Sequence, residues 1–316
     1  MSSRWVGTLH GLIVLFCVSC FLLFLLSARA QITWSNSTVA DAFLATGSAG
    51  NPDGNLTDLN FGAAGTMAVA PANAAKGEFQ SVARFDFSDA VPFFNAAYGT
   101  NGWTVSRVSL TLTSNYGTAG VQPNNAIFNV ISAGNFVIDW ISDTNWAEGT
   151  GTPNLPTQDG VTYDSLPTLT SGAVDILCTN AYMPPGNNVS ITYPLPLDTN
   201  LLAEIKVGSQ GSFLFNAADT NVSYLFNSKE YGRGNQPLIN VTASPFLKIL
   251  SGIFANGEFH LTGQGGADFQ YAIQANTNLV TTNWETIGTV TADTNGVIEF
   301  NDTNAMSRLR FYRLVE

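Results

Sequence analysis

Charged side chains are scarce in this chain of 316 residues. Lys, Arg, Asp and Glu make up 11 % of it, whereas hydrophobic residues make up 45 %. The charges are also unbalanced, with 12 Lys and Arg against 23 Asp and Glu. Proteins bind nucleic acid through Lys and Arg side chains that neutralise phosphates. The low basic content therefore argues against nucleic acid as a partner, and against capture of polyanionic glycans by overall charge.

Cysteine and histidine are almost absent. The chain has three Cys and two His, and Cys17, Cys20 and His10 all lie in the first thirty residues. The remaining Cys178 cannot form an intrachain disulfide, and together with His260 it cannot supply the four ligands of a structural zinc site. We predict that Cys178 is a buried structural thiol and that His260 lies on the surface of a strand.

The first thirty residues have the order of segments that is typical of a secretory signal peptide. Arg4 supplies a positive charge, residues 11–26 form an apolar run, and residues 28–30 (ARA) are small or polar. The run is short for a bilayer span, which needs about 20 residues. We predict a signal peptide at 1–30 and a secreted protein, extracellular or periplasmic, with no membrane segment in its mature form. An uncleaved anchor helix is the alternative.

Short segments of alternating apolar and polar residues dominate the rest of the chain. Examples are SVARFDFSD at 81–89 and VSRVSLTLTSN at 105–115. Clusters of Gly, Pro, Asn and Asp separate these segments, which is the pattern of antiparallel strands and tight turns. We predict an all-β protein that folds as a sandwich or a barrel. A single short helix is expected at 198–208.

A composition break near residues 243–248 divides the chain. We predict a large β domain at 31–243, a linker at 244–248 and a small C-terminal β module at 249–316. Within the small module, Asn295-Gly296 is a strong signal for a β-hairpin turn.

Four segments of the large module resemble the DNRLRE family, the disaggregatase-related β-sandwich domains of secreted bacterial and archaeal proteins. The segments are DAFL with NPDGNLTDLNFG near residue 41, SVARFDFSD at 81–89, NWAEGTGTPN with GVTYDSLP at 145–167, and YLFNSKEYGRGNQPLINVT at 224–242. The family usually has Trp where Tyr163 stands. The resemblance implies a large jelly-roll-like antiparallel β-sandwich that is like a carbohydrate-binding module and associates with polysaccharide. It does not imply catalysis, because one fold serves many functions. Residues 249–316 resemble a C-terminal module common in secreted bacterial proteins, which implies a fibronectin-like or similar fold and no particular function.

The segment around residue 146 supplies the candidate ligand-binding residues, Trp146, Glu148, Tyr163 and Asp164. In one interpretation, Trp146 stacks on the apolar face of a sugar ring while Glu148 accepts hydrogen bonds from hydroxyl groups. In the other interpretation, Trp146 packs beneath a loop and Glu148 accepts backbone N–H groups, so that the segment is a structural corner. The sequence leaves both interpretations open.

The turn NPDGNLTD concentrates oxygen-bearing side chains of the kind that calcium prefers. The candidate metal ligands are Asp53, Asn55 and Asp58, with Asp41 as a further contributor. The pattern is not an EF-hand, and a solvated polar turn is the alternative. The expected cofactor is a structural Ca²⁺ ion.

No catalytic residue is assigned from the sequence. A glycosidase needs two carboxylates roughly 5 to 10 Å apart, and a lyase needs a base and a group that neutralises a uronate. Acidic candidates are Asp143, Glu148, Asp159 and Asp164, and lyase candidates are Tyr163, Tyr182, Lys229 and Arg233. None of these residues shows a recognisable spacing, so we lean against an enzyme.

Two charged pairs are expected to be structural. Arg84 and Asp86 are two residues apart on a predicted strand and should pair on one face, while Phe85 and Phe87 fill the core. Lys229 and Glu230 should take part in ion pairs beside the last strand of the large module.

The leading hypothesis is a secreted, non-catalytic protein that binds cell-surface or extracellular polysaccharide through its large domain. A structural surface scaffold without glycan affinity is the first alternative. A polysaccharide lyase or hydrolase is the second.

Overall fold

The computed structural model describes residues 31–47, 54–100, 102–115, 128–305 and 310–315. The predicted signal peptide at 1–30 and the candidate ligand Asp53 lie outside these residues. Within them, nearly all regular structure is antiparallel strand, so the predicted all-β fold class is confirmed. No helix in the described ranges is long and apolar enough to cross a membrane.

Two antiparallel sheets form the large module, and a two-stranded ribbon lies beside them. The strands are β1 (Ile32–Ser37), β2 (Ala40–Ala45), β3 (Thr66–Val69), β4 (Phe79–Asp86), β5 (Trp103–Thr113), β6 (Gly134–Ile141), β7 (Val174–Tyr182), β8 (Ser190–Leu195), β9 (Gln210–Ala217), β10 (Tyr224–Asn227) and β11 (Leu238–Pro245). One sheet has the order β1-β11-β5-β8, the other β2-β4-β9-β6-β7, and β10 pairs with β3. This arrangement is a β-sandwich.

The main core lies between the two sheets. Along β4, Ala83 and Phe85 point inward with Phe87 just beyond the strand, while Val82 and Arg84 point to the outer face. This alternation is the period of two that a strand imposes on its side chains. Phe85 and Phe87 are fully buried, as predicted. Each such side chain stabilises the fold by about 1.5–3 kcal/mol.

In the described part of the chain, three short α-helices accompany the sheets: α1 (Ala90–Tyr98), α2 (Leu166–Leu169) and α3 (Thr199–Val207). The helix predicted at 198–208 is confirmed as α3. Asp198 caps it by accepting hydrogen bonds from the backbone N–H groups of Asn200 and Leu201, and Gly208 ends it in the left-handed conformation. Helix α1 was not predicted, and its buried residues Ala90, Phe94 and Tyr98 recur every four positions.

The chain between β6 and β7, residues 142–173, covers the outer face of the five-stranded sheet. We call it the β6–β7 excursion. A second apolar cluster lies beneath it, and its members are Ala40, Ala42, Leu44, Val82, Ile141, Trp146, Val161, Leu169 and Leu214. Both faces of this sheet are therefore covered at β2, which is buried along its whole length.

Six strands form the C-terminal module. They are β12 (Lys248–Ala255), β13 (Glu258–Gln264), β14 (Gln270–Asn276), β15 (Glu285–Thr291), β16 (Val297–Asp302) and β17 (Phe311–Val315). They pair as two three-stranded sheets, β12-β13-β16 and β15-β14-β17, around Tyr271, Ile273 and Ile298. The predicted linker at 244–248 is shorter in the structure. Ser244 and Pro245 extend β11 by pairing with Thr104 and Trp103.

The predicted hairpin at Asn295-Gly296 is wrong. The strands on its two sides, β15 and β16, belong to different sheets, so the turn is a crossover between sheets. The Asp293 side chain accepts hydrogen bonds from the N–H groups of Asn295 and Val297. Gly296 has φ +79°, and a Cβ there would lie 2.2 Å from the carbonyl oxygen of Gly265. Close backbone approach therefore explains this glycine.

Candidate functional site

Asn60 holds the β6–β7 excursion together from inside. Its side chain is fully buried. The Nδ2 group donates to the carbonyl oxygens of Glu148 (2.7 Å) and Val161 (2.8 Å), and Oδ1 accepts from the N–H groups of Gly62 (3.0 Å) and Gly151 (3.1 Å). One amide thus ties both ends of the segment 148–161 to the segment that follows the predicted calcium turn.

The glycines of this segment make room for Asn60. Gly149 has φ +82°, and a Cβ there would lie 2.2 Å from Asn60 Oδ1. A Cβ on Gly151 would lie 1.9 Å from the Asn60 carbonyl oxygen. Any side chain at these positions would push the excursion away from the buried amide, so both glycines have a structural explanation.

Trp146 is a packing residue in this structure. Its side chain is 8 % exposed, its Nε1 donates to Ser212 Oγ at 3.1 Å, and the Arg84 guanidinium lies 4.8 Å from the centre of its ring. Arg84 Nη1 also donates to the carbonyl oxygens of Thr144 and Trp146. The indole therefore does not stand out as an exposed platform, and sugar stacking on it stays a prediction.

The expected pairing of Arg84 with Asp86 is wrong. The Arg84 guanidinium is held by the excursion, as described above, because it lies on the covered outer face of the sheet. Asp86 instead accepts a hydrogen bond from the Ser88 N–H at 2.8 Å. Desolvation raises the pKa of Asp86, but the hydrogen bonds from Ser88 and Gln210 together outweigh it, so the pKa is lowered.

Glu148 points into the protein. Its Oε1 accepts from the Asp41 N–H at 2.8 Å, and its Oε2 lies 2.5 Å from Lys229 Nζ. Lys229 Nζ also lies 3.3 Å from Glu230 Oε1, so the predicted participation of Lys229 and Glu230 in ion pairs is confirmed. Glu148 thus makes the backbone contact that the structural interpretation of this segment predicts. Its role as a sugar ligand stays a prediction.

Asp41, Glu148 and Glu230 form an acid cluster. One oxygen from each carboxylate lies within 4.8 Å of the other two. Asp41 Oδ2 accepts from Thr38 Oγ1 (3.0 Å) and from the Lys229 N–H (2.8 Å). Burial, reinforced by the negative charge of Glu230, raises the pKa of Asp41 to about 8. Burial also raises the pKa of Glu230. The cluster joins residues that are far apart in the sequence.

The predicted metal-ligand set includes Asp53, which lies outside the described residues, and the structure separates Asp41 from Asn55. Asn55 pairs with Gly47, which lies six residues along the chain from Asp41 and therefore roughly 20 Å away on an extended segment. Asn55 Oδ1 accepts from the Thr57 N–H, and Asp58 Oδ2 accepts from Gln158 Nε2. Asp41 therefore belongs to the acid cluster and is separated from Asn55 by the length of β2.

An open groove lies on the solvent side of the excursion, and we call it the Trp146 groove. Its volume is ≈ 450 Å³. Its polar walls include Asp143, Asn145, Gln158 and Asp159, and its floor includes Trp146, Val161 and Leu169. Tyr163 and Asp164 line a neighbouring groove of ≈ 390 Å³ on the other side of α2. The four predicted ligand residues are thus divided among two grooves and the acid cluster.

Asp159 is a fixed hydrogen-bond acceptor. It accepts from Thr157 Oγ1 (2.6 Å), Thr150 Oγ1 (2.7 Å) and the Thr150 N–H (2.9 Å). These hydrogen bonds lower the pKa of Asp159 to about 2, so it stays ionised near neutral pH. A carboxylate in this state does not supply a proton as a general acid.

The tyrosines named as lyase candidates are not arranged as bases. Tyr163 donates its hydroxyl to Glu78 Oε2 at 2.8 Å, and burial together with that contact raises the pKa of Tyr163 to about 12. A base near neutral pH needs the opposite shift. Tyr182 is fully buried against Tyr224 in the sandwich core. Asp164 is exposed and accepts a hydrogen bond from Thr57 Oγ1 at 3.2 Å.

Sequence reasoning missed Asn145 and Gln158 as groove residues and Glu230 as a member of the acid cluster. Asn145 and Ala147 are exposed along the groove, whereas Trp146 between them is largely buried and Glu148 points into the acid cluster, so an extended period of two was the available signal. Glu230 had no such signal, because its cluster partners are more than eighty residues away.

Comparisons with known proteins name no family for this chain. No protein-family model matches it, and no curated protein sequence matches it. Among solved structures, native alpha-2-macroglobulin from Escherichia coli spanning domains NIE-MG1 is 14 % identical, over 58 % of this chain and 79 % of that one, with a TM-score of 0.14. That TM-score supports no argument about fold or function. The resemblance to the DNRLRE family stays a prediction.

Proposed function

We propose that this protein is a secreted, non-catalytic carbohydrate-binding protein that holds extracellular or cell-surface polysaccharide in the Trp146 groove. The observation that carries the proposal is the lining of that groove. Trp146, Val161 and Leu169 contribute small apolar areas to the lining, and exposed amide and carboxylate side chains contribute its polar groups. A sugar ring has the complementary surface, with C–H groups on its faces and hydroxyl groups around its edge.

The chemistry of the walls favours binding over cleavage. Binding sites commonly combine an apolar surface with a few fixed polar groups that orient the ligand. Asp159 is such a group, because three hydrogen bonds hold it ionised as an acceptor. The signal-peptide pattern at 1–30 and the resemblance to the DNRLRE family favour the same function in the extracellular space.

Affinity gel electrophoresis against a panel of polysaccharides tests the proposal. We expect one class of neutral or weakly charged polysaccharide to retard the protein. The double substitution of Asn145→Ala and Gln158→Ala should abolish retardation with an unchanged melting temperature, because both residues are exposed. Asn154→Ala is the matched control, since Asn154 is exposed in the same excursion and does not line the groove.

A structural scaffold is the second candidate, and the inward placement of Trp146 and Glu148 favours it. Both residues serve the packing of the excursion. If the folded protein is retarded by no polysaccharide, while its loss weakens cohesion of the cell envelope or matrix, the scaffold function replaces carbohydrate binding.

A further inference from the structure

The acid cluster brings three carboxyl groups together beside one ammonium group. Lys229 Nζ pairs with Glu148 and Glu230, whereas Asp41 is contacted by the Lys229 backbone N–H. Asp41 is 1 % exposed, yet its Oδ1 has no hydrogen-bond partner in the described structure, and the same holds for the buried Oε2 of Glu230. Buried acceptors without partners destabilise a protein. Two such oxygens in one cluster indicate a missing electropositive ligand.

The spacing of the cluster fits one cation. Oxygen ligands lie about 2.3–2.6 Å from calcium, so two ligands of the same ion are at most about 5 Å apart. One oxygen from each of the three carboxylates falls within 4.8 Å of the others. The donors are all oxygen, which favours a hard divalent cation such as Ca²⁺ over the softer transition metals.

The Lys229 ammonium group supplies a positive charge at the acid cluster. Its Nζ lies 2.5 Å from Glu148 Oε2 and 3.3 Å from Glu230 Oε1, and it donates to the Val39 carbonyl oxygen at 3.2 Å. The Lys229 side chain is 28 % exposed, so its ammonium can move into solvent without crossing the core.

We propose that Asp41, Glu148 and Glu230 bind one divalent cation of the calcium class, and that the Lys229 ammonium takes its place when the cation is absent. The Val39 carbonyl oxygen and water complete the ligand set, since calcium takes six to eight oxygens. The cation ties together β2, the β6–β7 excursion and the segment after β10. The site is independent of the carbohydrate groove, and it differs from the calcium turn predicted from Asp53, Asn55 and Asp58.

Terbium luminescence on the purified protein tests the site. Tb³⁺ substitutes for Ca²⁺, and Trp146, two residues from Glu148, is the expected energy donor on excitation of tryptophan. We expect one Tb³⁺ per chain that Ca²⁺ displaces. Glu230→Gln should weaken binding by about tenfold or more. Asp58→Asn is the matched control, because it removes an acid of the other predicted site, and it should leave binding unchanged.

Lys229→Met separates a cation site from an ordinary ion-pair network. If the ammonium competes for the site, its removal should tighten Ca²⁺ binding by about tenfold or more. The variant should melt lower than the wild type in chelator and recover in Ca²⁺. An ion-pair network without a cation site predicts the same loss in chelator and no recovery.

Three results would overturn the proposal. The first is a folded wild-type protein that binds neither Tb³⁺ nor Ca²⁺ at about 1 mM, the weak end of calcium affinity. The second is binding lost in Asp58→Asn and kept in Glu230→Gln, which places the ion in the turn. The third is unchanged or weaker binding in Lys229→Met. None of these results bears on retardation by polysaccharide, which is measured separately.

Discussion

The two sides of the β6–β7 excursion have opposite chemistry. On the side that faces the sheet, Trp146 donates a hydrogen bond to Ser212 and Glu148 forms an ion pair with Lys229. Toward solvent, Asn145 and Gln158 are exposed and line a groove. The residues with the most distinctive chemistry therefore lie on the packed side, while ordinary amides lie where a ligand has access. A Trp or Glu in a loop sequence therefore indicates packing of the loop as readily as it indicates ligand binding.

Trp146→Ala is the strongest test of this difference between the sheet-facing and solvent-facing sides of the excursion. Removal of a buried tryptophan should reduce the free energy of unfolding by about 3–5 kcal/mol, because the apolar cluster beneath the excursion loses its largest member. Urea unfolding measures the loss. Leu155→Ala is the control, since Leu155 is 74 % exposed in the same excursion and should change stability by about 0.5 kcal/mol at most. Equal small effects would mean that Trp146 does not hold the excursion.

Asn60→Ala should produce the next largest loss. It leaves two carbonyl oxygens and two N–H groups of the buried turn without their partner. We expect the free energy of unfolding to fall by about 2–4 kcal/mol, with new proteolytic cleavage within 148–161 in the native state. A variant as resistant to protease as Asn154→Ala would show that the glycines shape this loop without the amide.

The fold was more predictable from the sequence than the site. Strands such as β4 and β11 follow a period of two, and α3 has a capping Asp198 and a terminal Gly208. Helix α1 was missed because its sequence, AVPFFNAAY, has no polar face, although Ala90, Phe94 and Tyr98 recur at helical spacing.

Long-range contacts explain what the sequence did not reveal. The Asn295-Gly296 turn looked like a hairpin because nothing local shows that the next strand changes sheets. Asp41 was grouped with the nearby Asp58, while its true neighbours, Glu148 and Glu230, are brought to it by the packing of three segments. Residue type predicted that these acids matter, and only the tertiary structure shows which of them meet.

Glu204 is a partly buried carboxylate that contrasts with the acid cluster. It accepts a hydrogen bond from the neutral Trp140 indole at 2.7 Å. Burial raises the pKa of Glu204 from 4.5 to about 7. The unfolded chain ionises near pH 4.5 and the folded protein near pH 7, so stability falls across that interval as pH rises. Discounted for partial solvent screening, the loss is about 2 kcal/mol.

Glu204→Gln should remove that loss, since the amide oxygen still accepts from Trp140 and carries no charge. Urea unfolding at pH 4 and pH 8 measures the difference. We expect similar stabilities at pH 4 and a variant that is more stable than the wild type at pH 8. A difference between the two proteins that does not change with pH would contradict the assignment.

Gln158→Ala should have the smallest effect on stability and isolates the solvent side of the excursion. Gln158 is exposed, and its Nε2 donates to Asp58 Oδ2 at 2.8 Å on the surface. We expect the free energy of unfolding to change by about 0.5 kcal/mol at most, in contrast to Trp146→Ala. Retardation by polysaccharide should nevertheless weaken, because the groove loses an amide from its wall. A variant that unfolds normally and is retarded as strongly as the wild type would remove Gln158 from the binding surface, whereas a large loss of stability would show that both sides of the excursion serve the fold.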